Sequence, residues 1–255
     1  MTKDRKKQLR GILFQHLDGI TLCSTIATLF NNGITQFILE NKTFTIQDIL
    51  SKYECNAGYM NVALRLLASQ GWLKRNIIQD GEDIEFHLTE KGVKGLAHAH
   101  YYDRFYTFIP FLIDIDKYLF DPHAKDIQDE FQNLQICLDT LNSNVPAPGS
   151  TEWDVSKHLE GLLVGPILVA LGMSDFFLES LENESDINLE SMGDTLPIMS
   201  SIFSLFIYLK WIVIKNSKYY FSEEGRFFIK RSTAYGVTVS YLPTFNQMPE
   251  LLFGN

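Results

Sequence analysis

The chain has 255 residues, 45% of them hydrophobic and 21% charged, with a formal net charge of −9. That describes ordinary globular material, one large domain or two small ones, able to bury a core without disulfides or metals. The acid excess opposes phosphate backbones and anionic lipid, and Cys23, Cys55 and Cys137 lie too far apart for a zinc ribbon or a disulfide framework.

The one basic run comes first: Lys3, Arg5, Lys6, Lys7 and Arg10, ahead of Ile12-Leu13-Phe14. Gln15, His16 and Asp18 break the apolar stretch too early for a signal peptide, and no small-residue cleavage site follows. Apolar residues at helical spacing then mark a helix over 17–30, closed by Asn31-Asn32-Gly33. A second short helix is expected over 34–39. Thr45 and Asn56 are the expected N-caps of helices over 46–52 and 59–69, because their side chains can accept from orphan backbone N–H groups. Gly71 ends the last of these, and Trp72-Leu73 begins a strand. Asp80-Gly81 is a hairpin signal, since the tight turn needs positive φ, and the second strand runs over 84–88. Three helices and a two-stranded hairpin spell a winged helix-turn-helix.

The same grammar returns. His158-Leu159-Glu160-Gly161 repeats His16-Leu17-Asp18-Gly19 after 142 residues, and Lys210-Trp211-Ile212 repeats Gly71-Trp72-Leu73 after 139. Tyr219 to Gly225 repeats Phe86 to Gly92 after 133, as Leu242-Pro243 repeats Ile109-Pro110. Order is kept throughout, and the spacing changes only where loops belong. The predicted fold is therefore mainly α with small β-hairpins, as tandem winged-helix units. Residues 1–141 form unit 1 with its trailing helices, 142–150 a Pro/Gly/Ser/Asn linker, and 151–255 unit 2. The third helix of unit 2, around 197–209, is apolar nearly all round and reads as buried. No apolar run approaches the ~20 residues of a membrane span, so the expected setting is cytoplasmic.

Catalytic signatures are missing: no GxGxxG after a strand, no GxxxxGK[ST], no GxSxG and no HExxH. Catalytic, cofactor-binding and metal residues are accordingly assigned as none. His98 and His100 would point roughly 200° apart on a helix, so with Asp103 they read as polar surface positions. His16 and His158 occupy equivalent places and read as polar positions early in their helices, in preference to a contact between the units. Tyr102, Phe105 and Tyr106 are candidate pocket-lining residues, although their spacing equally suits a core stripe. A DNA reader needs cations on its third helix and wing. Unit 1 offers Arg65 on its third helix and Lys74 and Arg75 at the start of its wing, but Asp80, Glu82, Asp83 and Glu85 at the wing tip, and unit 2 offers Lys210 at the end of its third helix. Nucleic acid is an unfavoured partner, and a winged-helix transcriptional regulator is the alternative reading.

From His16 through Phe86-His87-Leu88-Thr89-Glu90-Lys91-Gly92, the chain resembles the N-terminal winged-helix region of O-methyltransferase-like class I enzymes. Tyr241-Leu242-Pro243 and Pro249 to Gly254 resemble the connector before the catalytic domain in methyltransferases associated with polyketide assembly. The resemblance implies a domain that dimerises such an enzyme or covers its substrate, with S-adenosylmethionine bound by a catalytic domain that follows. Here the unit is duplicated and no S-adenosylmethionine-binding glycine loop is present, so no catalytic residue transfers. The expected partners are the chain's own second unit, a methyltransferase domain or other protein, and a second copy of the chain. In the expected pseudo-dimer Leu17, Gly19 and Ile20 face Leu159, Gly161 and Leu162.

Overall fold

Thr2 accepts a hydrogen bond from the Arg5 N–H and caps helix α1, which runs unbroken over Lys3–Asn31. The basic run is thus the first turns of the opening helix. Lys, Arg and Gln are good helix formers, and here they stay largely solvated while Leu9, Ile12 and Leu13 turn inward. Gly33 ends the helix at φ 76°. The computed structural model describes residues 1–78, 83–120, 128–142, 147–173, 177–187 and 197–254.

Unit 1 continues with α2 (Ile34–Asn41), β1 (Thr43–Thr45), α3 (Ile46–Leu50), α4 (Ala57–Ser69), β2 (Leu73–Ile78) and β3 (Asp83–Leu88). Thr45 and Asn56 cap α3 and α4, and Thr45 completes a reciprocal capping box with Asp48. β1 pairs with β3 in a three-stranded antiparallel sheet of order β1-β3-β2. This small third strand goes beyond the two-stranded hairpin expected above. The Asp80-Gly81 turn lies outside the described residues.

Four short helices follow, α5 (Glu90–Ala97), α6 (Ala99–Tyr106), α7 (Ile109–Ile113) and α8 (Ile115–Phe120), and then α9 (Gln128–Asn142). Unit 2 comprises α10 (Thr151–Met173), α11 (Leu178–Glu182), α12 (Pro197–Tyr208), β4 (Ile212–Lys215), β5 (Lys218–Phe221) and α13 (Glu223–Ile229). It closes with α14 (Ser232–Ser240), α15 (Leu242–Asn246) and α16 (Met248–Phe253). Asn216 and Ser217 turn the second hairpin with φ 50° and 60°. Helix α12 is buried along most of its length, with α8 and α9 packed on it.

One device explains the strongest repeat. The Thr89 N–H donates to the Trp72 carbonyl at 3.0 Å, and the Ser222 N–H to that of Trp211 at 2.8 Å. Each hydroxyl then accepts from the glycine three residues on, capping α5 and α13. A methyl at Gly92 would fall 2.1 Å from the Trp72 carbonyl oxygen, and one at Gly225 2.2 Å from that of Trp211. Tryptophan, cap and glycine lock wing to helix as a set.

Two helices, Lys3–Asn31 and Thr151–Gly172, are long and apolar enough to cross a membrane by length and composition. Counting unbroken apolar runs missed them, because Gly, Ser, Thr and His interrupt the runs while mean hydropathy stays high. In their most apolar windows 72% and 83% of the residues are buried inside the structure. These two helices are each other's principal packing partner.

Candidate functional site

Helices α1 and α10 meet at two glycines. A methyl on Gly19 would stand 2.0 Å from the His158 carbonyl oxygen, and one on Gly161 would stand 2.2 Å from the His16 Cα. The crossing is reciprocal, because residues 16 and 19 of one unit meet 161 and 158 of the other. Only glycine allows two backbones this close. Ile20, Leu159 and Leu162 are fully buried around it and Leu17 is partly buried. The six expected interface residues thus lie on or against one core.

His16 and His158 depart from the polar-surface reading. Both are 1% exposed. His16 Nδ1 lies 2.9 Å from the Tyr235 hydroxyl and His158 Nδ1 lies 2.7 Å from the Tyr102 hydroxyl. Each unit's histidine is therefore bonded to the other unit's tyrosine. Burial lowers the pKa of both imidazoles, that of His158 to about 3 with help from Lys91 and His16. Burial also pushes both phenols well above their ordinary range. If the phenol O–H donates to Nδ1, the imidazole proton sits on Nε2; with the other tautomer Nδ1–H donates to the phenol oxygen. Neither Nε2 has a hydrogen-bond partner among the described residues.

His16 is among the residues around a hollow of about 390 Å³, although its Nε2 is itself closed to solvent. Glu160, 3% exposed, forms its polar floor. Lys157 donates to both Glu160 oxygens at 2.7 Å, and Ser156 donates to Oε1 at 3.0 Å. Burial alone would raise the Glu160 pKa, but Lys157 and His16 hold it below the usual value. His16 Nε2 is 3.8 Å from Glu160 Oε2, beyond direct hydrogen-bond reach. Trp153 lies beside the hollow, and behind it the buried Trp211 stacks on the buried Phe228 at 4.7 Å. At the rim Arg5 pairs with Glu224, and Lys210 stands exposed.

The expected pocket trio lies elsewhere. Tyr102 and Phe105 are completely buried, Tyr102 being committed to His158. Tyr106 donates to the Asn246 carbonyl at 2.7 Å. None of the three lines this cavity or the two grooves described below. Asp103 accepts from Asn31, and His98 packs by Tyr101. The His–Tyr pairs went unread because each joins residues 56 or 219 positions apart. One signal was available: Tyr102 and Tyr235 are themselves repeat equivalents, as are the histidines. Lys157 and Glu160 carried no signal, since such a pair usually lies on a solvated helix face.

The third helices bear on the nucleic-acid reading. Helix α4 exposes Tyr59, Val62 and Arg65, and Lys74 and Arg75 continue onto β2 beside a groove shared with Phe245 and Met248. Helix α16 closes against its start, where the Asn56 N–H donates to the Leu252 carbonyl at 2.8 Å. A second groove, of about 490 Å³, runs between α8, α10 and α14. Leu112, Ile113, Phe120, Val169 and Val239 line it, with Asp116 as its single charged residue.

Comparison with known families gives two matches. The AprA N-terminal domain model covers residues 9–75, and the AprA winged helix domain model covers residues 160–255. The winged-helix description belongs to the match over residues 160–255. No curated protein matches the chain.

Proposed function

We propose that this winged-helix region of an AprA-like protein is a non-catalytic positioning module. It docks and covers a class I S-adenosylmethionine-dependent methyltransferase domain of the kind associated with polyketide assembly, in the cytoplasm. The reciprocal crossing at Gly19 and Gly161 carries this reading. In the resembling enzymes a single unit dimerises, whereas here both halves come from one chain and form a rigid pseudo-dimer. The α8–α10–α14 groove, almost wholly apolar, is the surface that suits a protein partner. S-adenosylmethionine belongs to the covered domain and not to this chain.

The DNA-reading alternative fares worse. The net charge is −9, α12 is packed beneath α8 and α9, and α4 offers Arg65 as its one cation. Calorimetry tests both readings. The chain alone is expected to take up no S-adenosylmethionine, while a methyltransferase domain from the same assembly binds it, and Val239→Glu in the groove abolishes that complex. Micromolar S-adenosylmethionine binding by the chain, or a sequence-specific DNA complex that survives physiological salt, would replace this reading.

A further inference from the structure

Strand β2 ends the order β1-β3-β2, so its outer edge pairs with no strand among the described residues. The alternation of an antiparallel ladder decides which groups that edge presents. The Thr89 N–H donates to the Trp72 carbonyl at 3.0 Å, so residue 72 faces β3, and Lys74 and Asn76 face it in turn. The Leu88 N–H donates at 2.6 Å to the Lys42 carbonyl, on the β1 side, and Leu73 opposite it therefore faces outward. Leu73, Arg75 and Ile77 thus turn their backbone groups to the open edge. No hydrogen bond among the described residues takes them.

Leu73, Lys74 and Arg75 also line a groove of about 750 Å³, together with Val62, Leu66 and Met248. Successive side chains of a strand point to opposite faces, so three in a row share one groove only where it follows the strand's edge. The surface is open: Val62 is 58% and Ile77 62% exposed. Arg65, Lys74 and Arg75 are exposed too, with no ion pair among the described residues. Here three uncompensated cations stand together in a chain of net charge −9. Cations on an edge strand keep two copies from pairing there, because like charges would meet. That protective role needs no apolar groove beside the edge. Nucleic acid suits the place less well, since Asp83 stands opposite Ile78 at the far end of the strand pair and the groove's apolar side chains offer phosphates nothing.

We propose that the β2 edge takes up an extended acidic segment of a partner protein as an added strand. Its backbone pairs with Arg75 and Ile77, its apolar side chains enter the groove at Val62, Leu66 and Met248, and its carboxylates meet Arg65, Lys74 and Arg75. Nothing in this assignment rests on the methyltransferase reading. Neither S-adenosylmethionine nor a methyltransferase domain enters the test, so the two stand or fall apart.

The test titrates the isotope-labelled intact chain with a short synthetic peptide that alternates glutamate and valine, and reads backbone amide shifts and hydrogen exchange residue by residue. Saturable shifts centred on β2 are expected, with slower exchange at the Arg75 and Ile77 amides. Lys74 and Asn76, already bonded to β3, should stay as they were. Ile214, on the corresponding outer edge of β4, is the internal control and should not change. The same peptide with N-methylated amides keeps its charges but cannot donate, and should bind about tenfold more weakly. Lys74→Glu combined with Arg75→Glu, both at exposed positions, should also weaken the peptide about tenfold without moving the melting temperature. Ile77→Pro, tolerated where the N–H faces away from the sheet, should weaken it with every cation in place. Absence of saturable binding by the alternating peptide would overturn the proposal. So would equal affinity for the methylated peptide or for a lysine–valine counterpart. Shifts along β2 caused by duplex DNA at physiological salt, or by rising chain concentration alone, would overturn it as well and assign the edge to nucleic acid or to a second copy.

Discussion

At the scale of single residues the two buried histidines are the most informative groups. Burial holds the folded pKa of His158 at about 3, and it lowers that of His16 as well. In the unfolded chain both return to the ordinary value of about 6.5. Between those limits the unfolded state binds more protons than the folded one. Stability is therefore fully present above about pH 6.5 and is lost as pH falls through the window. Each site contributes a slope of at most about 1.4 kcal/mol per pH unit. The urea midpoint is expected to drop between about pH 7 and about pH 5. His158→Gln, whose carbonyl can still accept from Tyr102, should make that drop smaller. An identical pH profile for the variant would show that other groups carry the acid sensitivity.

At the scale of elements, α1 contains its own control. Gly11 has no neighbouring atom within 4 Å of where a methyl would sit, whereas at Gly19 the methyl would strike the backbone of His158. Gly11→Ala should stabilise the chain by about 0.5–1 kcal/mol through helix entropy alone. Gly19→Ala should destabilise it by about 3 kcal/mol, because a backbone carbonyl cannot rotate away as a side chain can. Thermal melts of the two variants shifting in the same direction would contradict the crossing. The same contrast explains what was legible in the sequence. Caps at Thr45 and Asn56 and the wing strands could be read, because each depends on residues within a few positions. Strand β1 was not, since three residues with a single buried Phe44 make no periodic pattern. The expected helix over 17–30 began too late for a related reason: among the first turns of α1, Arg5 finds its ion-pair partner Glu224 only in unit 2. Duplication made the crossing itself legible, with glycines at matching places. The cavity required knowing that Lys157 and Glu160 turn inward, which no spacing revealed.

At the scale of the whole molecule, the question is whether two winged-helix units behave as one body. Ile20 is fully buried in α1, and its Cδ1 would stand 2.8 Å from a methyl placed on Gly165 of α10. It therefore packs against the second unit. An Asp there loses the apolar burial and leaves a carboxylate without a partner, at a cost of ~2–4 kcal/mol. If the units were independent beads, that cost would fall on unit 1 alone. With the histidine of each unit bonded to the tyrosine of the other, opening one unit also orphans groups in its neighbour, so the cost is shared. Trp72 and Trp211 sit at the roots of the two wings and report one unit each. In chains labelled with 5-fluorotryptophan, their fluorine signals are expected to melt at a single temperature. Ile20→Asp should lower both midpoints together. A Trp211 transition left in place while Trp72 melts early would show that the units fold separately, and the pseudo-dimer would then be no more than contact between neighbours.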